Sequence, residues 1–200
     1  MEPLIRHTGC GMSLRRGDVD TDQIIPAEFC KRLTKTGYAD ALFHAWRRDP
    51  GFVLDDPAYA EASILVAGHN FGTGSSREHA VWALRDWGFR VVVATSFGDI
   101  FRRNAFKNGL LAVEAPEPLV TELADRVEAD PAYPITVDLE ACELVAGERR
   151  QPFTVDPRAR RLLLDGLDDI AVTLTRQDAI TTYEGSRLRW LPRTRPGVLS

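Results

Sequence analysis

The sequence is poor in the residues that build a metal or disulfide framework. Its three cysteines, Cys10, Cys30 and Cys142, are an odd number at wide spacing with no Cys-x-x-Cys pair. That excludes a zinc ribbon and a local set of iron–sulfur ligands, and it argues against a disulfide scaffold. No basic segment leads into an apolar run at the N-terminus, so a secretory signal is not expected. No stretch approaches the roughly 20 apolar residues of a membrane span. With reduced thiols added, the expected setting is cytoplasmic. An excess of positive charge is missing too. Twenty-five Lys and Arg against 29 Asp and Glu leave a net charge of −4, so no global field draws nucleic acid or a membrane, and an anionic substrate must be held by local arginines. Nucleotide and hydrolase motifs also fail. Gly72-x-Gly74 lacks the third glycine of a dinucleotide fingerprint, and neither Gly-Lys-Ser/Thr nor Gly-x-Ser-x-Gly occurs.

What remains is ordinary globular material. The 200 residues are 44% hydrophobic and 27% charged, enough for one substantial domain with a core. The expected organisation is a single domain over 1–184 and an Arg/Pro-rich tail over 185–200, either loose or laid on a partner. The middle third is the most legible. Apolar runs at Ser63–Ala67, Arg90–Thr95 and Leu110–Val113 read as buried strands. Between them, Ser76–Trp87 and Phe97–Lys107 have helical spacing and end at Gly88 and at Asn108-Gly109. Strand, helix, strand, helix, strand predicts an α/β fold with a parallel core. His7–Leu14 reads as a further strand, Thr34–Gly37 as a loop, and Ala39–Arg47 as a helix with Leu42, Phe43 and Trp46 inward. Pro118–Ala129 is amphipathic. Ile135–Leu139, Glu143–Ala146 and Phe153–Val155 are short β candidates for an antiparallel sheet, and Asp156–Leu164 and Leu167–Leu174 read as helices.

The segment with the most chemistry is Gly68-His69-Asn70-Phe71-Gly72-Thr73-Gly74-Ser75-Ser76-Arg77-Glu78-His79, which joins a strand to a helix. Gly72 and Gly74 let the backbone turn tightly and approach a ligand. A helix start offers free N–H groups and partial positive charge. Arg77 adds a bidentate grip on a carboxylate, and two serine hydroxyls complete a pocket for a small anion at the C-terminal end of a parallel strand. Ser75-x-x-Glu78 also fits a capping box, in which the serine serves only the backbone. Both can hold if one serine caps and the other faces the ligand.

Gly72-Thr73-Gly74-Ser75-Ser76-Arg77-Glu78-His79 resembles the strongest signature of the mobile domain of the aconitase superfamily. Asp20-Thr21-Asp22-Gln23-Ile24-Ile25-Pro26 is similar to that family's earlier acidic turn. Ser96-Phe97-Gly98-Asp99-Ile100-Phe101, with Asn104 and Lys107-Asn108-Gly109-Leu110-Leu111, resembles its second helix and following strand. Order and spacing agree from about His7 to Ile180. Within the superfamily, the free-standing length resembles the bacterial small-subunit family of 3-isopropylmalate dehydratase. The resemblance implies a swivelling β/β/α domain and interconversion of 2- and 3-isopropylmalate by loss and re-addition of water. It further implies a [4Fe-4S] cluster carried by a separate large subunit, with no metal bound by this chain. By position in the motif, Ser75 would take the carbon-bound proton, Ser76 and Arg77 would bind substrate carboxylate, and Asp22 would lie in the site. In the stretch Phe29–Gly37, Leu33 would face an isopropyl group if it takes the side-chain-reading position. Arg32 in that position would favour a third carboxylate, as in a homoaconitase-like enzyme.

The other candidates read as structural. His69 and His79 suit neutral hydrogen bonding, Asp18 and Asp20 suit turns, and Cys10 and Cys30 are bystanders. Arg102 and Arg103 suit a solvated or partner-facing helix side, and Trp46, Trp82 and Trp87 suit core or interface anchors. A rival of another class is a module that binds a carboxylated or phosphorylated effector without chemistry. Ser75-Ser76-Arg77 fits both, while the two other blocks favour the enzyme subunit.

Overall fold

The computed structural model describes residues 1–188 and 190–192. Seven strands form one mixed sheet in the order β4-β3-β2-β1-β5-β6-β7. The parallel half is β1 (Arg6–Leu14), β2 (Ala62–Ala67), β3 (Val91–Ala94) and β4 (Leu111–Glu114). Their ladders place Leu65 beside Met12 and Val92, and Val92 beside Ala112. All of β3 is buried, as a near-continuous Val run in the middle of a parallel sheet should be. The antiparallel half is β5 (Pro134–Asp138), β6 (Glu143–Ala146) and β7 (Arg149–Pro152). Strand β1 joins the halves, with His7 opposite Val137 on one edge and Met12 beside Leu65 on the other. The antiparallel strands therefore extend the parallel sheet instead of forming a second one.

Helices fill the crossovers. After β2 the chain forms α2 (Glu78–Trp87), which turns Ala80, Val81, Ala83 and Leu84 inward and ends at Gly88 with φ +127°. After β3 comes α3 (Asp99–Lys107), with Phe101, Ala105 and Phe106 buried. Helix α4 (Glu117–Ala129) packs against β1, β2 and β3 and delivers the chain to β5. Helix α5 (Pro157–Asp165) has strong local signals: Asp156 caps the N–H groups of Arg158 and Ala159, Pro157 opens the first turn, and Gly166 closes it in the left-handed conformation. A single apolar cluster runs from Leu4 to Leu163.

Several expectations need correction. Ala39–Arg47 is not a helix but two 3-10 turns, Ala39–Ala41 and Trp46–Arg48. Phe43 between them is buried with φ +48°, and its N–H donates to Ile24 O at 2.8 Å. That tertiary bond overrides the apolar spacing. The last β candidate is displaced from Phe153–Val155 to Arg149–Pro152, because the Gly147 turn (φ +58°) brings Arg149 opposite Ala146. Helix α2 starts at Glu78, two residues later than expected, with Arg77 as its flanking residue and no side-chain cap. The capping box lies elsewhere, at the short helix α1 (Thr21–Ile24): Asp20 Oδ1 accepts from Gln23 N at 2.7 Å, and Gln23 Oε1 accepts from Asp20 N at 3.0 Å.

The chain divides into two compact units, Met1–Asp168 and Asp169–Ser200. The first holds the sheet and the site residues. The second carries α6 (Asp169–Leu174) and α7 (Gln177–Ser186), with Ile170, Leu174 and Tyr183 exposed. The residue pattern did not suggest α7, whose end takes in Gly185 and Ser186. The remainder of the expected tail includes Arg189 and 193–200, outside the described residues.

Candidate active site

Three loops leave the C-terminal ends of β1, β2 and β3, and backbone hydrogen bonds tie them together. Val19 O accepts from Gly72 N at 2.7 Å, and Thr73 O accepts from Thr21 N at 3.0 Å. Phe71 N donates to Ser96 O, and Gly98 N to Phe71 O, each at 3.0 Å. Short parallel bridges, Asp20 with Thr73 and Phe71 with Phe97, result. This contact requires missing side chains. A Cβ on Gly72, whose φ is +76°, would lie 2.2 Å from Phe101 Cγ, and one on Gly98 would lie 2.5 Å from Gly72 O. The three sequence blocks thus meet at one place although they lie far apart along the chain.

At that place the Gly74-Ser75-Ser76 turn is exposed. Ser75 does not cap α2. Its carbonyl accepts from Thr21 Oγ1 at 2.9 Å, and its own Oγ lies 3.2 Å from the same oxygen. Among the described residues none accepts a hydrogen bond from the backbone N–H of Ser75, Ser76 or Arg77. Three donors with no acceptor among the described residues therefore lie just before the first turn of a ten-residue helix, an arrangement suited to negative charge.

Arg77 and Asp22 are brought together from 55 residues apart as a short ion pair. The carboxylate hydrogen bond, more than any other influence, holds the guanidinium above its usual pKa. Arg77 Nη1 serves both Asp22 and Ile25 O, the latter at 3.3 Å. Among the described residues no acceptor engages Nε or Nη2. That edge of the guanidinium presents two parallel donors, the geometry a carboxylate takes.

Arg32 and Leu33 differ sharply. Arg32 is engaged within the chain: Nη1 and Nη2 each donate to Asp40 at 2.7 Å, Nη1 also reaches Gly37 O at 2.6 Å, and the group lies 4.9 Å over Phe29. The same pair holds Asp40 below the usual carboxylate pKa. Leu33 is fully exposed, at 102%.

The histidines have structural partners. His79 packs on Tyr38 and Trp82, with ring centroids 5.4 and 4.6 Å away, and burial pushes its pKa down. His69 Nε2 lies 3.0 Å from Asp18 Oδ2, and Asn70 Nδ2 donates to the other oxygen at 2.8 Å. Arg102 pairs with Glu114 at 3.0 Å. Trp82 Nε1 donates to Asn108 Oδ1 at 2.9 Å, and Trp46 stacks on Phe43. Motif matching did not single out Thr21. The signal was available in principle, since Thr21 lies inside the acidic turn, but contact with Ser75 depends on how two distant loops pair.

The donor set of this chain does not fit an iron–sulfur cluster. Cys10 lies on β1, Cys30 in the 3-10 turn Ala27–Lys31 and Cys142 between β5 and β6. Among the described residues no group of three His, Cys, Asp or Glu side chains converges on a metal position. Nor is any described helix long and apolar enough to cross a membrane.

The mixed sheet carries an exposed Ser-Ser-Arg turn braced by an acidic turn, and residues 1–118 match the family described as aconitase C-terminal domain, which sets the class of the fold. Residues 121–157 match LeuD_N. The chain belongs to the 3-isopropylmalate dehydratase small-subunit family. It is 58% identical over 195 residues to the 3-isopropylmalate dehydratase small subunit of Acidothermus cellulolyticus, covering 98% of this chain and 99% of the relative. It is 57% identical to that of Salinispora arenicola, covering 96% and 98%. The crystal structure of 3-isopropylmalate dehydratase from Methanocaldococcus jannaschii is similar, with a TM-score of 0.66 and 27% identity over 90% of this chain and all of that one.

Proposed function

We propose that this chain supplies the proton-transfer half of an isopropylmalate dehydratase site and acts only with a large subunit that carries a [4Fe-4S] cluster. The observation that carries this reading is the Ser75–Arg77 turn: Ser75 and Ser76 are exposed, three backbone N–H groups have no acceptor among the described residues, and a guanidinium edge is left open beside Asp22. Arg77 grips a substrate carboxylate through Nε and Nη2, and Ser76 adds a hydroxyl. Asp22 keeps the guanidinium in place. Ser75 takes the proton from the substrate carbon, the freed electron pair becomes the double bond, and the neighbouring hydroxyl departs as hydroxide, which the large subunit's cluster would accept as a Lewis acid and which leaves as water after taking a proton from solvent. In the return step a water, giving up a proton to solvent, adds its hydroxyl to the carbon that lost the proton, and Ser75 gives its proton to the carbon that lost the hydroxyl, which yields the isomer. A serine oxygen can act as a base only when its negative form is stabilised. The backbone N–H groups, the start of α2 and Arg77 offer that stabilisation.

Two features support isopropylmalate over a tricarboxylate. Leu33 offers a bare apolar side chain for an isopropyl group, and the Asp40 contacts of Arg32 leave it poorly placed to bind a third carboxylate. The test is reconstitution. Turnover of 2-isopropylmalate is expected only when chain and large subunit are mixed, and Ser75→Ala is expected to assemble normally while losing nearly all turnover. Substantial activity in Ser75→Ala sinks the assignment of the base. Anion binding with no partner and no turnover favours a binding module instead.

A further inference from the structure

The turn that bears Ser75 rests on Thr21, to which the reading above gives no part. Thr21 is the first residue of α1 and is 2% exposed. Its hydroxyl meets the turn at two points, donating to Ser75 O at 2.9 Å and lying 3.2 Å from Ser75 Oγ. A threonine hydroxyl has one proton and two lone pairs. While that proton goes to the carbonyl, a lone pair accepts the Ser75 O–H. The Ser75 proton then points inward, and the lone pairs of Ser75 point to the exposed side where a ligand sits. When Ser75 Oγ carries negative charge, rotation about the Cβ–Oγ1 bond turns the Thr21 proton from the neutral carbonyl to the charged oxygen. A hydrogen bond to a charged acceptor is shorter and roughly twice as strong, so the rotation is favourable.

We propose that Thr21 is a positioning residue for Ser75, orienting its hydroxyl when neutral and donating to its oxygen when charged. The inference rests on Ser75 being the base. No bond to Thr21 forms or breaks: the proton passes between substrate carbon and Ser75, and Thr21 keeps its own.

The experiment compares Thr21→Val, Thr21→Ala, Thr21→Ser and Ser75→Ala in the reconstituted complex, with 2-isopropylmalate turnover followed across pH. Removing one preorganised donor to a developing oxyanion costs about 100- to 1,000-fold in rate; for a donor acting through Ser75, a loss of about 10- to 100-fold in kcat is expected for Val and Ala, with KM nearly unchanged. The rise of kcat with pH should move to higher pH, and Thr21→Ser should restore most of the rate. Full kcat in the Val or Ala variant overturns the proposal. So does a loss by the same factor at every pH, or a Ser variant as poor as Val, since both describe a purely structural threonine. Ala keeps the comparison open if Val cannot be accommodated beside Ser75. An inactive Ser75→Ala beside an unaltered Thr21→Val removes the role of Thr21 alone. An active Ser75→Ala removes the base, and this inference with it.

Discussion

Arg77 uses one nitrogen for its protein partners and leaves an edge open. Nη1 is tied to Asp22 and Ile25 O, while Nε and Nη2 face no acceptor among the described residues. Lysine keeps the charge but cannot hold Asp22 and also offer a parallel pair of donors. Hydrogen bonds to charged groups are worth about 1.5–3 kcal/mol, so Arg77→Lys should raise KM for 2-isopropylmalate about tenfold or more with a smaller change in kcat. Steady-state kinetics of the reconstituted complex check this, and an unchanged KM removes Arg77 from carboxylate binding. The candidate residues could be singled out one at a time, because Ser75, Arg77 and Asp22 each stand in a distinctive motif. Their pairing was not. Arg77 meets Asp22 across 55 residues, and no local pattern encodes which loops of a parallel sheet lie side by side. The choice between Arg32 and Leu33 stayed open for the same reason, since it turns on Asp40, in a segment whose spacing suggested a helix.

At the scale of elements, the parallel core was legible because apolar runs, glycine stops and amphipathic spacing all agree there. The pattern misled where a tertiary contact outweighs spacing, as at Phe43, and where a turn residue shifts a hairpin, as at Gly147. The packing of the three loops gives a sharp test. Gly98 has φ −64° and ψ 131°, which any residue adopts, so it is the close approach of the Gly72–Thr73 backbone, Gly72 O nearest, that demands glycine there. A methyl group at 2.5 Å from that backbone oxygen cannot be relieved by a side-chain rotation. Gly98→Ala should therefore cost about 1–3 kcal/mol of stability and lower turnover by displacing the Ser75 turn. Gly51→Ala is the control, because its nearest atom would be a comfortable 3.7 Å away. Denaturant unfolding and turnover together decide. A neutral Gly98→Ala means that the loops are not held in register by this contact.

For the whole molecule, the titrating groups with shifted histidine and carboxylate pKa values favour the same side of neutrality. His7 is half-buried with Nε2 2.8 Å from Ser63 Oγ, and burial first, then Arg90, pushes its pKa below 6.5. Burial does the same to His79. Both folded-state values lie below the unfolded ones, so the fold prefers neutral histidine. Their contribution is complete above about pH 6.5 and declines as the pH falls through the unfolded value towards the folded one, because there the unfolded chain binds more protons. The carboxylates Asp40 and Glu128, held low by Arg32 and Arg15, act next. Their contribution is present above the unfolded values near 4 and is lost as pH drops through the lower folded ones. These histidines and carboxylates all favour the higher pH, so the two windows add in sequence. Tm of the full chain should be level from about pH 8 to 7, begin to fall below about pH 6.5, and fall again below about pH 4. His7→Gln should reduce the first decline while leaving the second intact, since glutamine can still meet Ser63 but does not titrate. Thermal scans of both proteins at pH 7.5, 5.5 and 3.5 test the sequence of events. An equal decline in the two between pH 7.5 and 5.5 would assign the histidine window to His79 or to neither, and His7 would then be only a hydrogen-bonding partner of β2.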